Sequence, residues 1–420
     1  MNTTRPVYKF IDLIKIHWSL LLILSTAFLF ATKTSFNIPF YIMAAIGLYR
    51  LIKNNDSHRV PEIRFIYILF FSIWLPMLFS LTDAVDLHHS LKTTLPYLRF
   101  LFAAVFIIEE VKKNDAFNHI VLGIAIIISF WCLDALFQFI VGVDMFGYPM
   151  RGNFVGGLFS PKGTLGHVLA ILSPVYFEIV RRYHSRHRYL WLLLLIFFSI
   201  VLLSGKRTAW MMLFTSCTFY GAYLFYLYRS AALKIFLVII PIVVLILGLL
   251  VTQYQPLNTR IDKTLGLFSV DYEQVDKATA RRLSIWETGI KIYGAHWING
   301  IGPRGFRHVY ADYADTDNFF ITNGYSGQTH PHLTLLEIGV ETGSLGLFGY
   351  LIFWLYLMRF ASQLIKENKA CHLPWLMCIM IAVLPYNAGS AFYGSYWSSL
   401  TWWIILISAC FVLSSQNKGI

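Results

Sequence analysis

What most constrains this chain is a succession of apolar runs, each roughly 17 to 25 residues long, the length an α-helix needs to cross a hydrocarbon core of about 30 Å. Short polar turns separate them along most of the 420 residues. A soluble globular protein carries about 25% charged residues. Here the charged share is 13%, against 57% apolar and 17% aromatic, so a soluble enzyme is excluded and an all-α, polytopic membrane protein is expected.

Twelve spans are expected, at 16–32, 37–52, 64–82, 96–111, 119–142, 163–180, 189–204, 209–228, 235–253, 333–358, 374–390 and 397–414. Orientation follows from the cations. With the N-terminus in the cytoplasm, the five inner connections hold fifteen basic residues: Arg50, Lys53, Arg59, Arg64, Lys112, Lys113, Arg181, Arg182, Arg186, Arg188, Arg229, Lys234, Arg359, Lys366 and Lys369. The five short outer connections hold six, Lys33, Lys92, Arg151, Lys162, Lys206 and Arg207. Basic residues concentrate in cytoplasmic loops, so both termini are expected inside. The net charge of +12 is thereby topological; none of these cytoplasmic loops is long enough for a basic, aromatic nucleic-acid surface.

One outer connection, 254–332, is far longer than the rest and balances eight basic with eight acidic residues. Long polar segments on one face of a bundle are where function concentrates. The chain is thus read as helices 1–253, a large periplasmic loop 254–332 and helices 333–420. Lys9 and Lys15 precede the first apolar run as in a secretory signal, but no small-x-small cleavage site follows, and the run is read as a retained helix. The five cysteines fall in spans or an inner loop, which supports no disulfide framework. No internal repeat of the kind that builds many transporters is visible.

Three constellations fall on the outer side. Ser204-Gly205-Lys206-Arg207-Thr208 forms a tight turn, with two cations where orientation has no use for them; they suit either an anionic ligand or lipid phosphate. In Thr279-Ala280-Arg281-Arg282-Leu283 and onward, Leu283, Trp286, Ile290 and Tyr293 keep helical spacing, giving an amphipathic helix with Arg281 and Arg282 in its first turn. Guanidinium forks match phosphate oxygens, although a solvated charged pair would look the same. Third, His330-Pro331-His332 precedes the tenth span, where Gly339, Gly343 and Gly346 make a small-residue stripe for close helix approach, and Glu337 and Glu341 share a face. Histidine takes a proton near neutral pH, and it is equally common as an interfacial hydrogen-bonding residue.

In this order the three resemble the O-antigen ligase family of bacterial inner-membrane glycosyltransferases. From His332, Leu336, Glu341, Gly343 and Gly346 stand at the family's spacing, with Leu333 in place of its usual Asn. Arg207 matches an arginine in an outer turn; Arg282-Leu283, Trp286-Glu287 and Gly289 match an arginine-led helix; Gly300-Ile301-Gly302-Pro303 with Phe306 and Tyr310 resembles a glycine-rich turn. The segment Arg151 to His167 loosely resembles an upstream Gly-Phe-Pro region.

The resemblance implies a GT-C-like fold and a glycan transferred, at the periplasmic face of the inner membrane, from undecaprenyl pyrophosphate to a sugar hydroxyl of lipid A-core. His332, Arg207 and Arg282 would be catalytic. Lys206, Arg281, His330, Arg304, Arg307, Lys162 and Arg99 are further candidates for substrate contact, and Glu341, Gly339, Gly343, Gly346, Gly300 and Gly302 for structure. No cofactor or metal is expected. Asp315-Thr316-Asp317 has the form of a divalent-cation site, and Asp83, Asp86, His88 and His89 cluster in another outer loop, but solvated loops contain such groups commonly. His330 and His332 lack an outer cysteine to complete a zinc site. An O-antigen polymerase and a protein O-oligosaccharyltransferase share this pattern, although the latter usually extends beyond where this chain ends, at Ile420. A flippase would need a polar path, and the spans offer only Asp134 and Glu178 plainly.

Overall fold

The computed structural model describes residues 18–53, 60–113, 116–229, 248, 255–325 and 327–413. Apart from residue 248, the expected span 235–253 lies outside them, as do Arg59 and Lys234. Helices occupy every other expected span: α1 Trp18–Leu29, α2 Asn37–Lys53, α3 Pro61–Phe79, α4 Leu87–Tyr97, α5 Arg99–Lys113, α6 Phe117–Val141, α7 Leu165–Tyr183, α8 Leu190–Leu203 and α9 Arg207–Tyr228. After these come α10 Gln255–Leu265, α11 Tyr272–Ala278, α12 Arg282–Ala295, α13 Phe306–Tyr313, α14 Phe319–Thr322, α15 Thr334–Lys366, α16 Leu373–Ala382 and α17 Ser395–Val412.

The protein is all-helical among the described residues, which hold only two isolated β-bridges, within 143–154. Five segments are long and apolar enough to cross a membrane: Pro61–Asp83, Leu87–Lys112, Phe117–Val141, Thr334–Lys366 and Ser395–Val412. Shorter apolar helices join them, which makes this a multi-pass membrane protein.

Helices that are apolar all round belong inside a bundle. α16 and α17 are of this kind, buried from Leu373 to Ala382 and from Trp397 to Val412, and α7 is buried from Leu165 to Val180. They form the centre, with α7 packed on α8, α9 and α16, and α17 on α5 and α16. Charges inside the bundle are used up locally. Asp134 accepts from the amides of Met145 and Leu158, and Glu178 is held by Arg181, Arg182 and the hydroxyls of Tyr220 and Tyr223.

Two expected spans differ from what is observed. The helix expected over 374–390 stops at Ala382, and residues 383–394 turn back as a loop, because Pro385 and Gly389 interrupt the apolar run. The helix expected over 333–358 extends to Lys366 but breaks at Gly343, whose φ of 65° and ψ of −163° are non-helical. Residues 297–302 enter this break. Ile301 and Gly302 donate to the carbonyls of Val340 and Glu341, while Ser344 and Leu345 donate to Trp297 and Ile298. The backbone groups that a helix end leaves unsatisfied are thus satisfied by an inserted chain. The glycine stripe thus receives a loop as well as a neighbouring helix: Gly343 lies on Ile298, Gly339 on Tyr293 of α12, and Gly346 on its own helix.

That insertion anchors the long loop, which has a small core of its own. Ile285 and Ile292 of α12, Ile301, and Phe306 and Tyr310 of α13 pack with Val340 of α15.

Candidate functional site

The carboxylate of Asp276 sets the start of α12. Its Oδ1 accepts from the Leu283 amide at 3.0 Å and its Oδ2 from the Ser284 hydroxyl at 3.0 Å, satisfying donors that a helix N-terminus leaves free. Ala280 and Arg281 precede it with φ of 62° and 63°, so the chain reverses, and consecutive arginines diverge. Arg281 is not presented with Arg282 as expected; it faces Asp276 at 3.4 Å and lies 4.3 Å over the ring of Phe319.

The backbone amide of Arg282 donates to the Thr279 hydroxyl at 3.3 Å, but its guanidinium has no hydrogen bond or ion pair among the described residues. Burial, and next the charge of Arg207, hold its guanidinium below its usual pKa. Arg207 opens α9 after the turn at Gly205, whose φ is 63° and whose Cα faces the Phe154 ring too closely for any side chain. It donates to the carbonyl of Ala278 and to Thr264, reaching the loop that leads to Arg282. Two like charges are therefore held close together, an arrangement that an anion between them relieves.

The turn Thr329–His332 faces this pair. Trp286, one turn after Arg282, donates to the Pro331 carbonyl at 3.1 Å, and the rings of His330 and His332 lie 3.8 Å apart. His332 has a φ of 54°, and its Nδ1 donates to the carbonyl of Ala388 at 3.3 Å. A carbonyl only accepts, so the proton sits on Nδ1 and Nε2 keeps its lone pair. Burial lowers the pKa of His332, which the Ala388 carbonyl opposes and Arg282 reinforces. Burial, then His332, Arg304, Arg307 and Arg282, take His330 further down. Both imidazoles are neutral at pH 7.

The loop 383–394 covers this turn. Thr334 donates to Asn387 and Leu335 to Pro385, each at 3.0 Å, while Tyr393 donates to Glu337 at 3.4 Å. Gly389 lies against His167, whose Nε2 bonds the Thr208 hydroxyl at 2.7 Å. His167 and the Asn387–Gly389 turn are parts of the site that sequence reasoning missed; a buried histidine one residue from a glycine in α7 was the available signal.

Among the remaining candidates, the Arg304 amide donates to Glu341 Oε2 at 2.6 Å. Gly302 packs on Ala84 and Ser90, and Gly300 on Glu341 and Thr342, fixing the turn before α13. Burial lowers the pKa of Arg307, and the nearby Arg304 adds to this. Lys206 flanks Gly163 together with Arg151. Lys162 is engaged elsewhere, its Nζ 3.5 Å over Tyr396 and 4.5 Å over Phe36, where burial lowers its pKa to about 7. Arg99 binds Tyr41, Ser395 and Ser399 and ties α5 to α2 and α17. Asp315 pairs with Lys291, and Asp317 is exposed. Asp86 caps α4 through His89 and stands 3.6 Å from His308, so the cluster read in sequence around residues 83–89 gains a member from α13.

Beside the arginine and histidine groups runs an apolar groove of about 720 Å³ between α12 and α15, lined among others by Trp286, Ile290, Tyr293, Leu333, Leu336 and Trp354. Trp286, Ile290 and Tyr293 of the apolar stripe of α12 thus form one wall of it, while Ser284, Ile285, Thr288, Gly289 and Ile292 are buried on its other side.

Residues 192–351 match the family described as O-antigen ligase. The chain carries an O-antigen ligase family domain. The matched stretch runs from α8 past the break at Gly343 and takes in Arg207, Arg282, Arg304, Arg307, both histidines and Glu341; His167 and Asn387 lie outside it. No curated protein matches the chain.

Proposed function

We propose that the protein is an O-antigen ligase that moves a glycan from undecaprenyl pyrophosphate to a sugar hydroxyl of lipid A-core. On this reading it spans the inner membrane twelve times with both termini cytoplasmic, and the loop 254–332 forms the periplasmic site. The observation that carries the reading is the close pair Arg207 and Arg282, whose like charges act on each other, beside the neutral His332 and the apolar groove.

A lipid pyrophosphate has an apolar tail and a compact, highly charged head. The groove accepts the first isoprene units, and the two guanidinium groups at its end take the phosphates. His332 Nε2 then accepts the proton of the acceptor hydroxyl while its oxygen bonds the anomeric carbon. The bond from that carbon to the pyrophosphate oxygen breaks, and the arginines stabilise the charge that leaves. Attack opposite the leaving group inverts the anomeric centre in one step. The arginines supply the charge compensation, so the scheme uses no metal.

The test is a deletion strain complemented with wild type or with His332→Ala, Arg207→Ala or Arg282→Ala. Lipopolysaccharide is resolved on a gel beside the undecaprenyl-linked pool. Long glycan accumulating on the carrier while core stays bare, unrelieved by the variants, is the expected result. A core bearing single repeat units would make the protein a polymerase and overturn the acceptor.

A further inference from the structure

We propose that Arg304 and Arg307 form a second anion subsite, which binds a phosphate or carboxylate group on the acceptor glycan. This rests on the transferase reading above and names which substrate meets which cations.

Three arginines act on the histidine turn, Arg282, Arg304 and Arg307, and with Arg207 beside Arg282 they make two pairs held by different elements. Arg207 and Arg282 belong to the starts of α9 and α12, and the groove for an apolar tail opens at Trp286 on the same side. Arg304 and Arg307 belong to the turn before α13 and its first residues, which dock on the α3–α4 connection: Val85 donates to Ile301 at 3.1 Å and Ser90 to Pro303 at 3.1 Å. Between the pairs stand the two adjacent imidazoles, tilted 45° to each other, His332 next to the charge of Arg282 and His330 within reach of both Arg304 and Arg307.

In a single in-line displacement the nucleophile arrives opposite the leaving group. With the pyrophosphate on Arg207 and Arg282, the acceptor comes from the other side of the histidines, where the second pair lies. The nitrogen atoms there are poorly provided for. Arg304 Nη1, Arg307 Nε and His330 Nε2 are buried without a hydrogen-bond acceptor, and neither guanidinium has an ion pair among the described residues. Glu341 acts on both guanidinium groups through its charge, and Glu337 on Arg304, but the bond Glu341 makes is to the Arg304 backbone, which fixes the turn and leaves those side-chain nitrogens without an acceptor. Buried donors of this kind are expected to meet an acceptor when the site is in use, and guanidinium groups favour anionic oxygens over hydroxyls.

The experiment uses the full-length protein in nanodiscs with a lipid-linked glycan donor and three preparations of lipid A-core: native, phosphatase-treated and carboxyl-reduced. Arg304→Gln and Arg307→Gln are expected to raise the KM for native acceptor about tenfold, the change one charge-assisted hydrogen bond brings. Donor KM should stay within about twofold on the same scale, and Arg307→Lys should recover part of the loss. The wild type should itself weaken on the one preparation that has lost the recognised group, converging on the variants. A rise in donor KM, or an equal loss on every acceptor, would overturn the subsite. If the wild type transfers nothing to any acceptor, the transferase reading fails; binding of native against treated acceptor, measured by surface plasmon resonance, then still decides whether these arginines read an anion.

Discussion

The Nδ1 of His332 donates to the carbonyl oxygen of Ala388, 3.3 Å away and 56 residues later in the chain. This bond fixes the tautomer, so the base nitrogen is set by a backbone carbonyl of the loop 383–394. Replacing His332 with Gln keeps a polar group there but offers no basic nitrogen. Turnover in a purified transfer assay should fall about 10²- to 10⁴-fold, with donor affinity unchanged.

The pH dependence follows from the lowered pKa of His332. The neutral form accepts the proton, so the rate is full at neutral pH and falls as pH drops through a value below the ordinary 6.5 or so of histidine. Arg282→Gln removes one of the charges that lower it. The acid limb of kcat/KM should then move to higher pH, in addition to any loss of rate; a limb that stays in place would remove His332 as the titrating group.

Arg207 reaches both the phosphate position and the loop, through Ala278 and Thr264. Arg207→Lys keeps the charge and loses the fork, so donor KM should rise with the fold intact. Arg207→Ala should also loosen residues 264–278, visible as faster limited proteolysis there. In a double-mutant cycle with Arg282→Ala the two losses should not add, since each alone dissolves the pair.

Asp276→Asn weakens the cap that starts α12. A cost of about 1 kcal/mol is expected, in the range for helix caps, together with a lower turnover because Arg282 is the first residue of that helix. Thermal melting of the purified protein and the transfer assay read the two effects separately.

Gly343→Ala places a side chain at a φ of 65° and against the Ile298 carbonyl, 2.1 Å from where the Cβ would sit. Strain of this kind costs about 1 to 3 kcal/mol, and the backbone contact adds to it. A melting temperature equal to wild type would show that the helix break is not needed.

Much of this was legible in sequence because the bilayer imposes a strong length rule and because the site residues lie near the ends of apolar runs. Turns and spacing singled out Lys206 with Arg207, Arg281 with Arg282 and His330 with His332, and the family resemblance chose one candidate from each. Partner choice could not. Arg99 and Lys162 carry the same charge as Arg282, but hydroxyl groups from α2 and α17 take one and aromatic rings the other. Arg281 differs from its neighbour only in a backbone angle that reverses its direction. The loop over His332 was hidden in an expected span, since Ala382 to Ala391 is apolar enough to mask the breakers Pro385 and Gly389.

The insertion of residues 297–302 into the break of α15 has one more consequence. The segment 255–332 is stitched into α15 at its middle, so it is not a detachable module. An exchange of this segment between related proteins would have to carry the broken helix along with it, or leave carbonyl and amide groups of both parts exposed. Specificity in such a scaffold would change by point substitution around the rim more readily than by transplanting a whole loop.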